Sequence, residues 1–154
     1  MVLVYLELST LIALANSFDI FHDETKEFLD EIKRLGFEPI SCKQAVEMDL
    51  AIGLAKSPLR VADALRMMEV IDTRRIKLLN TQSRTLLMLV KEYLKEARLN
   101  IGDLLHYAGA TLLNADYLAS WNTDDFNPGF EKLINRVNIR KNLKTIKVGH
   151  QISS

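Results

Sequence analysis

The stretch DLLHYAGATLLNADYLASWNTDDF, residues 103–126, decides how this chain folds. Its first half is helical in character, with Ala108, Gly109 and Ala110 supplying small side chains along its length. Gly102 or Asp103 begins that helix, which runs through Leu113, and Asp103 stands where a carboxylate caps the first turn and meets the positive end of the dipole. Residues 117–120 then read as a short strand. The polar run Asn122-Thr123-Asp124-Asp125 reads as the loop that leaves it.

Working outward, residues 2–6 form an apolar run rich in β-formers, the pattern of a strand buried on both faces of a parallel sheet. Ser9 or Thr10 can cap a helix over 11–16. Residues 22–35 carry Phe28, Leu29, Ile32 and Leu35 on one helical face, and Gly36 beyond them suits a C-cap. A second strand is expected over 37–41, and then a helix over 42–54 with Ala45, Met48 and Ile52 inward. Pro58 opens a further helix that carries Val61, Leu65, Met68 and Ile71. Helices over 83–98 and 130–136 and a strand over 145–148 complete the order. Strands separated by helices predict one α/β domain over residues 1–148 with a mainly parallel sheet, and a frayed tail over 149–154.

Composition narrows the class. The 154 residues fit a single domain, and the 48% that are hydrophobic suffice for a sizeable core. Twenty basic residues cancel twenty acidic ones, so nucleic acid is not attracted globally, although a local basic stripe of Arg74, Arg75, Lys77 and Arg84 can contact phosphates. The single cysteine, Cys42, excludes an internal disulfide and fits a reducing compartment. The apolar start lacks a basic n-region and is interrupted by Glu7, and no run is long enough for a membrane span. A cytoplasmic domain without membrane association is the expectation.

In open parallel sheets, sites form beyond the carboxyl ends of the strands. Glu7 ends the first strand, Glu47 follows the second, and Asn122, Asp124 and Asp125 follow the strand at 117–120, with Asp103 opening the helix before it. Crowded carboxylates repel one another unless a cation is present. Hard oxygen ligands of this kind select Mg²⁺ or Mn²⁺, ions that polarise phosphodiesters and stabilise leaving oxygens.

The same residues carry a family resemblance. The 103–126 stretch resembles the C-terminal acidic motif of PIN domains: an acid, a Leu-His and small-residue helix, a strand, and a polar turn ending in acid-Phe. Residues 4–12, VYLELSTLI, resemble the family's first motif, and residues 40–47, ISCKQAVE, its second, in which a helix carries a glutamate. The run from Ile134 to Val148 is similar to the segment leading to a last strand. This resemblance implies a three-layer α/β/α fold and a metal-dependent ribonuclease, VapC-like in being the toxin of a toxin–antitoxin pair, with RNA as substrate, a small antitoxin partner and a homodimeric state. Position by position it makes Glu7, Glu47, Asp103 and Asp125 catalytic, with Glu7, Asp103, Asn122 and Asp125 holding the ion and Ser9 supporting the first acid. Glu7 stands where the family has Asp, one methylene shorter, and Asp49 is the alternative to Glu47, since two residues apart on a helix only one can face the site. A domain of this fold that has lost catalysis and serves as an RNA-binding or protein-interaction module is the alternative reading.

Simpler roles stand beside these. Asp103 alone reads as a helix cap, His106 as a packed or hydrogen-bonded histidine, and Asp124 as a loop residue. Trp121 reads as a packing residue or a base-stacking platform. The basic stripe reads as a solvated helical face, and Cys42 as an inert thiol.

Overall fold

The computed structural model describes residues 1–56 and 61–149, so Pro58 and all but the first residue of the 149–154 tail lie outside the described residues. β1 (Leu3–Leu6) occupies the middle of the sheet because both of its faces are apolar. Val4 and Leu6 enter one core layer and Tyr5 the other, all fully buried, as the two-residue period of a strand requires. α1 (Leu8–Ala15), α2 (His22–Arg34) and α4 (Val61–Thr73) cover the Val4 and Leu6 face. α5 (Ser83–Leu94), α6 (Ile101–Leu112) and α7 (Pro128–Arg140) cover the Tyr5 face. α3 (Lys43–Lys56) serves both layers through the adjacent residues Ala45 and Val46. The result is the three-layer α/β/α arrangement.

β2 (Glu38–Cys42), β3 (Lys77–Leu79), β4 (Tyr117–Ala119) and β5 (Lys147–Val148) join β1 in the order β3-β2-β1-β4-β5, with every pairing parallel. β3 has no counterpart among the expected elements. Three residues are too few to display an alternating pattern, and the strand exists because Lys77, Leu78 and Leu79 pair with Ile40, Ser41 and Cys42. The chain adds strands outward from β1 to β3 and then returns to place β4 on the other side of β1. The direction of winding therefore reverses between β1 and β4, and a crevice opens at their carboxyl ends.

Several local expectations change. α1 is capped by Glu7, whose side chain accepts from the Ser9 N–H, because Glu7 is the last extended residue and Ser9 already lies inside the helix. α6 is capped by Asn100, whose Oδ1 accepts from Asp103 N–H at 3.0 Å. Asp103 is thereby released from capping and sits in the first turn. α4 buries Met67 and Ile71, while Val61, Leu65 and Met68 face outward at 50%, 62% and 37% exposure. On α3, Ile52 is also exposed, and Ala45 and Val46 make the buried contact. Apolar residues populate more than one face of both helices, so spacing alone did not single out the buried one. Among the described residues no helix is long and apolar enough to cross a membrane.

Candidate active site

Glu7 leaves β1 with its N–H bonded to Ala119 O at 3.0 Å, which extends the sheet ladder one residue and fixes the acid beside the end of β4. The side chain is 4% exposed and is held from three sides. Ser9 N–H, Ser9 Oγ and Ser120 Oγ all donate to Glu7 Oε2, the two hydroxyls at 2.5 Å. Each serine is anchored in turn: Trp121 N–H donates to Ser9 Oγ at 3.0 Å, and Asn122 N–H to Ser120 Oγ at 3.1 Å. The residue that follows β4 thus supplies an oxygen that orients an acid 113 residues away.

Three further carboxylates approach from α3, α6 and the loop after β4. Asp49 accepts from His106 Nε2 at 2.9 Å, and Tyr5 OH lies 2.7 Å from His106 Nδ1. An ionised aspartate only accepts, so in a neutral ring Nε2 carries the proton and Tyr5 donates to Nδ1. Asp49 can come this close to the start of α6 because residue 102 is glycine: a Cβ there would lie 2.5 Å from Asp49 Oδ1. Ligand atoms of Glu7, Asp49 and His106 all lie within 4.8 Å of one another.

Asp103 is the least satisfied member. It is 7% exposed, and its Oδ2 is a buried oxygen with no hydrogen-bond partner. Burial first, then the neighbouring Asp125 carboxyl, then the charges of Glu7 and Asp49, push its pKa up to about 8. Asp125 can accept from Asp103 only while Asp103 carries a proton. Asp125 itself is held by Asn122, whose Nδ2 donates to its Oδ2 at 2.9 Å, and by Tyr107 OH, which donates to its backbone carbonyl. A buried carboxylate oxygen without a donor is costly, and either a proton or a divalent cation relieves it. The donor set, carboxylates with one imidazole, suits a small divalent ion. A cleft of about 410 Å³ lined by Asp49, Ile52, Lys56, Asn100 and Asp103 borders the cluster.

No protein-family model and no curated protein matches the sequence. Solved structures do match. One is a chain of VapBC2 from Rickettsia felis, in a structure bound to a DNA fragment from its promoter; it is 14% identical, with 96% of this chain and 97% of that chain covered and a TM-score of 0.62. Another is VapC20 from Mycobacterium tuberculosis, a Sarcin-Ricin loop cleaving toxin, at 11% identity, 79% and 92% coverage and a TM-score of 0.56.

This chain has the PIN-domain fold.

Within the PIN fold Glu7 stands with Asp49 and His106, and Asp103 and Asp125 neighbour one another close enough to feel that group's charge, with Ser9 bonded to Glu7 and Asn122 to Asp125. Glu47 does not join them. It is exposed on α3, and Asp49, two residues further on, is the acid that turns inward. Successive residues of a helix are rotated by about 100°, so two such neighbours diverge by about 200°. Trp121 is a packing residue: its ring stacks on Phe21 at 4.3 Å and its Nε1–H donates to Thr25 Oγ1.

The basic stripe is divided by the parallel topology of the PIN fold. Arg74, Arg75 and Lys77 end α4 and begin β3, at the amino ends of the strands, and Arg74 and Lys77 pair with Asp30 and Glu38. Arg84 opens α5 after β3, at the carboxyl edge shared with the acids. Ser120 and the Tyr5–His106 pair complete the site without having been singled out for it. A strand-end serine and a histidine three residues past Asp103 were the available signals.

The raised pKa of Asp103 makes metal-free stability depend on pH. An unfolded aspartate titrates near about 3.9. Between that value and about 8 the folded chain holds a proton that the unfolded chain has released, so stability falls as pH rises through this window. Thermal melts in EDTA should show Tm declining from about pH 5 to about pH 8, less steeply in Asp103→Asn. A wild-type Tm that is level or rising over that interval contradicts the assignment.

Proposed function

We propose that the chain is a PIN-type endoribonuclease that depends on Mg²⁺ or Mn²⁺ and acts as the toxin of a toxin–antitoxin pair. The observation that carries this reading is the buried, partnerless carboxylate oxygen of Asp103, set among three other acids at the switch point of a parallel sheet. A divalent cation held there supplies polarisation of a phosphodiester and stabilisation of its leaving oxygen. The chain's own residues do the rest. Glu7 and Asp49 bring their oxygens together, and Asp103 and Asp125 flank them. Ser9 and Ser120 hold Glu7 in one orientation, and Asn122 does the same for Asp125. The cleft beside Asp49 and Asp103 offers the RNA backbone a path past one cation, Lys56.

The test is cleavage of a mixed RNA substrate by purified protein in Mg²⁺, in Mn²⁺ and in EDTA. Cleavage that needs either ion supports the proposal. Binding of RNA with no cleavage in either ion would instead favour the alternative, a binding module that has lost catalysis. Within the nuclease reading, Asp49→Asn should weaken cation binding by about 10–100-fold. Glu47→Gln, an exposed substitution, should leave the rate within about twofold. Equal losses in the two variants would overturn the choice of Asp49.

The toxin reading also brings a small antitoxin protein and a second copy of the chain as partners. The exposed apolar residues Val61, Leu65 and Met68 of α4 support contact with a partner of either kind. Light scattering of the isolated chain should report a dimer, and a monomer across the accessible concentration range counts against the homodimer.

A further inference from the structure

We propose that His106 is itself a ligand of the cation, so that the centre is a mixed imidazole–carboxylate site selecting a first-row transition ion, Mn²⁺, over Mg²⁺. The location rests on the nuclease reading; the ligand assignment does not depend on which nucleic acid is cut.

The bland role for a histidine bonded to a ligating carboxylate is to orient it from outside. Such a partner lies behind its ligand, away from the ion and therefore away from the other ligands. His106 does not. Its ring nitrogen is within 4.8 Å of donor atoms on both Glu7 and Asp49, a spacing that three ligands of one small ion can share. Its separation of 2.9 Å from Asp49 Oδ2 matches neighbouring positions around a small divalent ion. Ligands about 2.1 Å from such an ion and at right angles stand about 3 Å apart. A second observation points to a ligand independently. Asp103, 7% exposed and three residues before His106 on the same helix, has a buried oxygen with no partner and lines the cleft that Asp49 also lines.

The surroundings of His106 permit the change of role. Without an ion, Nε2–H donates to Asp49 and Tyr5 OH donates to Nδ1. With an ion, the ring proton resides on Nδ1 and is donated to the Tyr5 oxygen, which frees the Nε2 lone pair. Tyr5 serves both tautomers because a hydroxyl both donates and accepts, whereas a carbonyl would permit one only. No proton is gained or lost by the ring. His106 and Tyr5 are each fully buried, so water does not offer Nδ1 an alternative partner. Imidazole suits transition ions, while Mg²⁺ prefers oxygen ligands, and this sets the order of affinity.

The full chain is titrated calorimetrically with Mn²⁺ and with Mg²⁺, and the Mn²⁺-loaded protein is measured by electron spin-echo spectroscopy. Mn²⁺ should bind about tenfold or more tightly than Mg²⁺ and show coupling to an imidazole nitrogen. His106→Gln should lose the coupling and bring the two affinities to within about threefold of each other. Should that variant fail to fold, the wild-type spectrum decides alone. Mn²⁺ bound without nitrogen coupling would show that His106 only positions Asp49 and overturns the proposal, and RNA cleavage in Mg²⁺ would then leave the nuclease reading intact. Failure of both ions to bind overturns the two together.

Discussion

Replacing Asp103 by asparagine is expected to reduce RNA cleavage by about 100-fold or more, the scale on which even a misplacement of about 1 Å damages a catalytic arrangement. The same change should leave the metal-free protein at least as stable as the wild type near pH 8. The two effects have one cause. Asp103 Oδ2 is buried without a donor, among Glu7, Asp49 and Asp125, so its charge opposes folding whenever no cation is present. Asparagine keeps the shape, removes that charge and can donate to Asp125. It also removes the anionic oxygen that a cation would use. An ordinary buried residue shows the opposite association, in which loss of activity follows loss of stability. Thermal melts in EDTA beside cleavage assays in Mn²⁺ separate the cases. A variant that is both inactive and markedly less stable would identify Asp103 as structural, and one that retains full cleavage would end the nuclease reading of this acid.

The second large effect is on the fold. Gly109→Ala should destabilise the domain by about 1–3 kcal/mol, the usual cost of overpacking. A methyl group at residue 109 would lie 2.7 Å from Cys42 Cβ, 3.2 Å from Tyr5 OH and 3.3 Å from Cys42 Sγ. Alanine is the better helix former by about 0.8–1 kcal/mol, so propensity alone predicts the reverse sign. The clash wins because its first partner is a Cβ carried by β2, which moves only if the strand moves. Tyr5 is fully buried beneath the helix and has no room to yield. The displacement of α6 would carry Asp103 and His106 with it, so cleavage should fall further than the folded fraction does. A chemical-denaturation midpoint equal to or above that of the wild type would contradict this packing argument.

Much of the architecture was legible because it depends on local chemistry repeated along the chain. The apolar run at 2–6, the long amphipathic pattern at 22–35 and the small-residue helix before the 117–120 strand each recorded their own burial. The acid at the end of β1 and the one opening α6 were legible for the same reason, since the ends of elements are marked by polar residues. β3 was missed because a three-residue strand has no period to display and is held by its partner. The apolar residues of α4 occupy several faces, and packing against α1 and β3 chose Met67 and Ile71 for burial.

The candidate site divides along the same line. By itself the sequence determined that an α/β domain with a parallel sheet would bring acids from its start and from residues 103–125 to the strand ends. That follows from periodicity and topology rules, which act on neighbours in the chain. Only the tertiary structure decided that Asp49 rather than Glu47 turns inward, that Ser120 reaches back to Glu7, and that His106 stands between Tyr5 and Asp49. It also sent Arg74, Arg75 and Lys77 to the amino edge of the sheet, away from the acids. Asp49 and His106 are 57 residues apart, and Glu7 and Ser120 are 113. Their mutual distances are fixed by how helices rotate and pack on the sheet, and a linear pattern of polar and apolar residues does not encode that rotation.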